Sequence, residues 1–224
     1  MKKILLIVLS LALVVTLAGC KEDDAPEFEF DVPAEYNVNL QELGYSEYIS
    51  FSNPTITITV VDMGEIVIQL FPSVAPNTVN SFINYIDLET YTNNQFHRVV
   101  NGFMIQGGYV DNPSCYIEGE MGNNDFENEL SHTPGVLSMA RVGGDYDSGS
   151  SQFFIVQQTS TFLDLEYAGF GGVVSGFHII DYIASLNNPE VNELSIVPVY
   201  IESITIDLNG YVASAPICID EEAD

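Results

Sequence analysis

The side chain best placed to do chemistry in this 224-residue chain is Arg98, in the run QFHRVVNGFMIQGG from Gln95 to Gly108. Lysine and arginine together number five against 32 aspartates and glutamates. One of those five lies among Phe96, Val99, Val100, Phe103 and Met104, where an unpaired cation is costly to bury. Such a guanidinium is either a surface charge answered by one of the many carboxylates or a donor held at the edge of an apolar site. Other chemical devices are sparse. His97, His132 and His178 are scattered without metal-ligand spacing, and no CxxC pair occurs. The run GGDYDSGSS lacks the lysine and strand-to-helix setting of a phosphate loop. Ser150 and Ser151 have no paired base, and GSSQF is not a nucleophile elbow. His97 reads as a hydrogen-bonded structural residue. An enzyme built from these residues would work without metal, cofactor or covalent intermediate.

The elements that must position Arg98 can be read from hydrophobic period. In TITITVV, Ile56, Ile58 and Val60 alternate with threonines, Asp62-Met63-Gly64 makes a tight turn, and GEIVIQLF follows as a second strand. In APNTVNSFINYIDL, Val79, Phe82, Ile83 and Ile86 share one helical face, with proline just before its start. The short runs FHRVV, FMIQGG, GVLSMA, SQFFIVQ and FGGVV read as strands. FHIIDYIASL is a second helix with Ile179, Tyr182, Ile183 and Leu186 on one face, and VPVYIESITIDL is a last strand. Many short strands with two helices predict a mainly β architecture, a barrel with a helix over each end, because closure removes exposed strand edges.

The chain opens MKKILLIVLSLALVVTLAGC, two lysines followed by an apolar run too short for a structural membrane span. Its ending, Leu17 to Cys20, resembles a bacterial lipobox, which implies cleavage before Cys20 and lipid on that thiol; the alternative is an uncleaved single-span anchor. Both place the remainder outside the cytoplasm, at the cell membrane. The expected divisions are a signal peptide over 1–19, an acidic tether over 20–53, a globular domain over 54–208 and an acidic tail over 209–224. Loss of Lys2 and Lys3 moves the formal net charge from −27 to −29 and leaves Lys21, Arg98 and Arg141 as the basic side chains. Nucleic acid is not an expected partner, since phosphate binding depends on lysine and arginine. Cys115 and Cys218 remain. An extracytoplasmic site permits a disulfide, but sequence does not say whether they come within bonding distance.

Four motifs in order, FHRVVNGFMIQGG, GVLSMAR, SSQFFIV and FLDLEYAGFGGVVSGFHIIDYI, resemble the cyclophilin family of peptidyl-prolyl cis-trans isomerases, and the likeness runs from about Thr55 to Leu208. The resemblance implies a closed eight-stranded antiparallel β-barrel capped by two α-helices. It implies that Arg98 directs its guanidinium at the prolyl nitrogen, with Gln106 and Phe103 beside it as catalytic residues. Met104, Phe154 and Leu163 then join Phe103 as walls of a proline pocket, Gln152 is a further polar lining residue, and Ala140 and Arg141 contact residues preceding the proline. Phe153, whose neighbour faces the other way, belongs to the core. Phe162 stands where many members have tryptophan and Tyr167 where many have histidine. Both are expected to touch substrate, and loss of the indole donor implies weaker cyclosporin binding. Between Met139 and Gln152 the chain is about two residues longer than the common form, which would reshape the rim beside Arg141.

The expected protein is therefore a monomeric, lipid-anchored prolyl isomerase acting on proline-containing polypeptides, with no cofactor. A non-catalytic lipoprotein that holds proline segments in the same groove is the alternative. A β-rich adhesin or solute-binding lipoprotein would explain the signal and the acidity but not the four ordered motifs.

Overall fold

The computed structural model describes residues 29–188, 190–191 and 193–219. The first hairpin follows its alternation. Strands β1 (Thr55–Val60) and β2 (Gly64–Leu70) pair antiparallel from Thr55 opposite Gln69 to Val60 opposite Gly64, with Ile56, Ile58, Ile66 and Ile68 fully buried. Helix α1 (Pro76–Asp87) buries Val79, Phe82, Ile83 and Ile86. Ala75 gives it no side-chain cap; instead the Glu120 carboxylate accepts from the backbone N–H groups of Asn77 (3.0 Å) and Thr78 (2.7 Å), an acceptor at the positive end of the helix dipole. Strands β3 (Asn94–Gln95), β4 (Arg98–Val100), β5 (Met104–Gly107), β6 (Val136–Met139), β7 (Phe153–Val156) and β8 (Gly169–Ser175) follow, then α2 (Phe177–Ser185) and β9 (Tyr200–Asp207). Gly176 precedes α2 at φ +89°, where a Cβ would sit 2.5 Å from the Glu65 carbonyl oxygen, so glycine is required there.

The expected closed eight-stranded barrel is corrected by the strand order. One nine-stranded sheet runs β3-β9-β1-β2-β8-β6-β7-β5-β4 and curls without its end strands pairing. The reason lies in the run Asn94–Val100. Its first half pairs with β9 and its second half with β5, so the two sheet ends are consecutive pieces of one chain, joined covalently and not by a ladder.

The segments flanking the domain also differ from the expectation. A free tether does not describe residues 29–53, because Tyr45 is fully buried and its hydroxyl donates to the Val173 carbonyl at 2.7 Å. Gly172 makes room for that ring; a Cβ there would meet it at 2.4 Å. Tyr48 stacks on Phe71 beside it. The tail beyond 208 is strapped down as well. Tyr211 and Ala213 pack on the core, Asn80 accepts from the Tyr211 hydroxyl and the Ser214 N–H, and Cys218 is disulfide-bonded to Cys115 with Cα atoms 5.3 Å apart. Cys20 and the 1–19 segment lie outside the described residues.

Candidate active site

Strand register assembles the site. Arg98 on β4 pairs with Gln106 on β5, Gln106 pairs with Phe154 on β7, and Phe154 pairs with Ser138 on β6. Cross-strand partners share a face, so these four form one row. Alternation turns their neighbours Val99, Ile105, Phe153 and Leu137 to the other face, where they join the large core with α1 and α2. The row's own face carries a second, smaller cluster that includes Met104, Phe154, Val156 and Leu163, with Phe71 from just after β2 and Tyr45 from the segment before the domain.

On that face lies a recess of about 90 Å³ lined by Arg98, Phe103, Met104, Gln106, Ala140, Arg141, Phe154, Leu163 and Tyr167. Drug-sized ligands need roughly 300–1,000 Å³, so this space suits one small ring. Nine of the side chains expected from sequence are thus brought together. Two are not in the lining. Gln152 borders an adjoining cleft, shared with Gln106, Ala140 and Arg141, and accepts from the Gln106 amide at 3.1 Å. Phe162 is 70% exposed and leans on the outer side of Phe103, ring centroids 5.5 Å apart.

Sequence offered Arg98 two roles, an apolar-site donor or a surface arginine paired with a carboxylate, and its geometry includes both settings. Its Nη1 donates to Gln106 Oε1 at 3.3 Å, its carbon centre lies 5.8 Å from the Phe103 ring centroid, and its Nη2 bonds Glu193 Oε1 at 2.8 Å. Gln106, accepting from Arg98 through oxygen and donating to Gln152 through nitrogen, is fixed in one amide orientation. The hydrogen bond from Arg98, then its charge, hold the Glu193 carboxyl below the usual carboxylate range.

Arg141 is the more enclosed of the two arginines. It borders the recess, yet its guanidinium is clamped between Tyr146 and Tyr167, 4.6 Å from each ring centroid. Nε donates to the Glu166 carbonyl, Nη1 to the Val142 carbonyl and Nη2 to the Glu166 carboxylate. The Met139–Gln152 segment supplies Tyr146, which closes over Arg141.

Behind the recess stands a group that sequence reading missed. His132 Nδ1 lies 2.9 Å from Asp164 Oδ1, and Nε2 lies 2.9 Å from Ser138 Oγ. The order resembles that of a nucleophilic triad, but His132 and Ser138 are fully buried and no substrate reaches them. The imidazole instead stacks on Phe154, and Asp164 adjoins Leu163, so the group braces two pocket walls. Burial lowers the His132 pKa against the opposing pull of Asp164. The neutral ring then donates from Nδ1 to the carboxylate and accepts the Ser138 hydroxyl at Nε2. His97, half-buried, is also shifted down, first by burial. Glu193, Tyr146 and Asp164 carried no signal that separated them from the chain's many other acids and tyrosines.

A family model, cyclophilin type peptidyl-prolyl cis-trans isomerase, matches residues 55–206. The chain is 36% identical over 155 residues to peptidyl-prolyl cis-trans isomerase B of Escherichia coli K12, covering 64% of this chain and 94% of that protein. It is 32% identical over 160 residues to peptidyl-prolyl cis-trans isomerase A of Dickeya dadantii, covering 69% and 84%. Among solved structures, a cyclophilin type isomerase of Cryptosporidium parvum is similar with a TM-score of 0.61 at 26% identity, covering 69% of this chain and 98% of the other. The same protein in the presence of the dipeptide Ala-Pro gives 0.60 at 26%, covering 68% and 98%.

Proposed function

The chain belongs to the cyclophilin-type peptidyl-prolyl cis-trans isomerase family, and from that premise we propose that it rotates X-Pro bonds of extracytoplasmic polypeptides through an Arg98 hydrogen bond to the prolyl nitrogen. Isomerases of this kind act on proline-containing polypeptides. A peptide bond resists rotation by roughly 18–20 kcal/mol because the nitrogen lone pair is delocalised into the carbonyl. A donor to that nitrogen stabilises the twisted state, in which the lone pair is localised, more than the planar one. Uncatalysed exchange takes tens to hundreds of seconds. An ordinary turnover of about 10–10³ per second then needs roughly 10³–10⁵-fold, or about 4–7 kcal/mol, within reach of a positioned cation in a desolvated pocket.

The observation that carries this reading is the row Arg98–Gln106–Phe154 around a recess sized for one ring, with the guanidinium at its edge. Ala-Pro, the dipeptide present with the Cryptosporidium relative, carries one proline ring of that scale. A protein that only held proline segments would need the recess but no donor at the imide nitrogen. A prolyl isomerisation assay on the mature chain and on Arg98→Ala tests the mechanism. The expected result is a kcat/KM lower by about 10²–10³, the loss on removing a preorganised donor to the transition state. Full activity in the variant would end the proposal.

The extracytoplasmic setting is supported by the signal-like start and by the Cys115–Cys218 disulfide, since such bonds persist in oxidising compartments. We place the protein at the cell membrane as a monomer, anchored through lipid on Cys20, with more than one acyl chain for stable attachment. Cys20→Ser should abolish lipid labelling and release the protein; normal labelling would refute the anchor.

A further inference from the structure

We infer that Glu193, on the loop after α2, is a positioning residue for the isomerase reaction: it holds the Arg98 guanidinium over the proline recess. This rests on the reading of Arg98 as the donor to the prolyl nitrogen. Glu193 grips β4 at two successive residues. Its carboxylate takes Arg98 Nη2 at 2.8 Å, and its backbone carbonyl accepts the Val99 N–H at 2.9 Å. Asn187, from the base of the same loop, donates to the Val99 carbonyl at 2.7 Å and to the Leu194 carbonyl at 3.3 Å. The free edge of the sheet's last strand is thereby covered by the element that carries Glu193.

The backbone at Glu193 is left-handed, φ +73°, a conformation that costs a non-glycine residue energy and persists only where surrounding contacts impose it. Its carboxyl, held low by Arg98, is ionised across the neutral range. A flexible arginine side chain samples many rotamers. Gln106 on Nη1 fixes one arm of the fork and Glu193 on Nη2 the other, so two acceptors on separate elements define its plane. Nη1 also contacts Met104 Sδ at 3.9 Å, so the donors left for the substrate are the second Nη2 hydrogen and Nε. A carboxylate could instead act as a competitor that occupies the guanidinium until substrate displaces it, and the two roles predict opposite changes in rate.

The test is steady-state isomerisation by the mature protein, with kcat and KM determined separately for Glu193→Ala, Glu193→Gln and Glu193→Gly. Bracing predicts that alanine lowers kcat about tenfold, within the roughly 10²-fold that a 1 Å misplacement can cost, with KM changed less than about twofold. Glutamine keeps an acceptor oxygen and should retain more than about half the rate if geometry is what matters. Glycine relieves the left-handed backbone, so it should lose rate as alanine does while melting no lower, which separates the carboxylate's role from loop unfolding. In an Arg98→Ala background, Glu193→Ala should have no further effect. An unchanged kcat, or a raised kcat/KM, overturns the inference. If Arg98→Ala itself keeps full activity, the donor reading fails first; if Arg98→Ala is crippled and Glu193→Ala is not, only the brace fails.

Discussion

Arg98 and Arg141 border the same recess, each is paired with a glutamate and each lies against aromatic rings, yet they are built for opposite purposes. The Arg141 side chain is 6% exposed, sandwiched by two rings, with Nε, Nη1 and Nη2 all donating to the protein. The Arg98 side chain is 32% exposed, meets one ring at longer range and bonds only to other side chains. One cation has become part of the wall, shut between two rings with its charge answered by Glu166. The other makes as many hydrogen bonds, to Gln106, Met104 and Glu193, but stays part-exposed at the recess. Residue type alone does not separate the two arginines; their exposure at the recess does.

The largest effect that can break this contrast is a crossover between two variants. Arg98→Ala should lose about 10²–10³ in kcat/KM while its Tm moves no more than about 1–2 °C, as for a change outside the core. Arg98→Lys should rescue poorly, because a flexible point charge does not reproduce the planar fork. Arg141→Ala should behave the other way. Losing two ring contacts and leaving the Glu166 and Val142 carbonyls short of a donor should cost about 2 kcal/mol, or roughly 4–8 °C in Tm. Its kcat/KM should fall by no more than about tenfold, through slackening of Tyr167. Rate assays and thermal melts on the same two proteins check both halves. Equal patterns in the two variants would erase the distinction.

Sequence made part of this contrast legible. Alternation in TITITV and the i, i+3, i+4 spacing of Val79, Phe82 and Ile83 are local signals, and those elements form where the spacing places them. The pocket walls were legible as motifs, because strand register converts a fixed order of strands into a fixed row of side chains. What sequence hid depends on distance. FHRVV reads as one strand, so the split of the Asn94–Val100 run between two sheet ends, and hence the open curl, is invisible. Tyr45 is a buried anchor in a stretch with no period, so its segment looks like a tether. Cys115 and Cys218 are 103 residues apart, and only the fold brings them together. Arg98 and Arg141 look alike until Tyr146, Glu166 and Glu193 are placed around them.

The smallest effect sharpens the contrast by pH, since the wall side of the recess contains the buried His132 brace. His132 has a pKa below its ordinary 6.5, so below that value the unfolded chain binds more protons than the folded one. Its contribution to stability is complete above about 6.5 and is lost as pH falls toward the folded pKa, by at most about 1.4 kcal/mol per pH unit for one proton. Burial raises the Asp164 pKa, but hydrogen bonds from the His132 backbone, Ser131 and the His132 ring outweigh it and leave the net shift downward. That group, too, loses stability as pH falls, in a separate window beginning near its ordinary 3.8. Between about pH 6.5 and 4.5 the histidine therefore acts alone of the two. His132→Gln keeps an acceptor toward Ser138 and cannot titrate. Relief of repulsion among the chain's many carboxylates is common to both proteins and cancels in the difference between their melting curves. The wild type should lose Tm relative to His132→Gln as pH falls through that window, and the same comparison in an Arg98→Ala background should give the same difference. Parallel curves would show that His132 does not brace Phe154 through its neutral form, and an altered difference without Arg98 would show that the two sides of the recess are coupled.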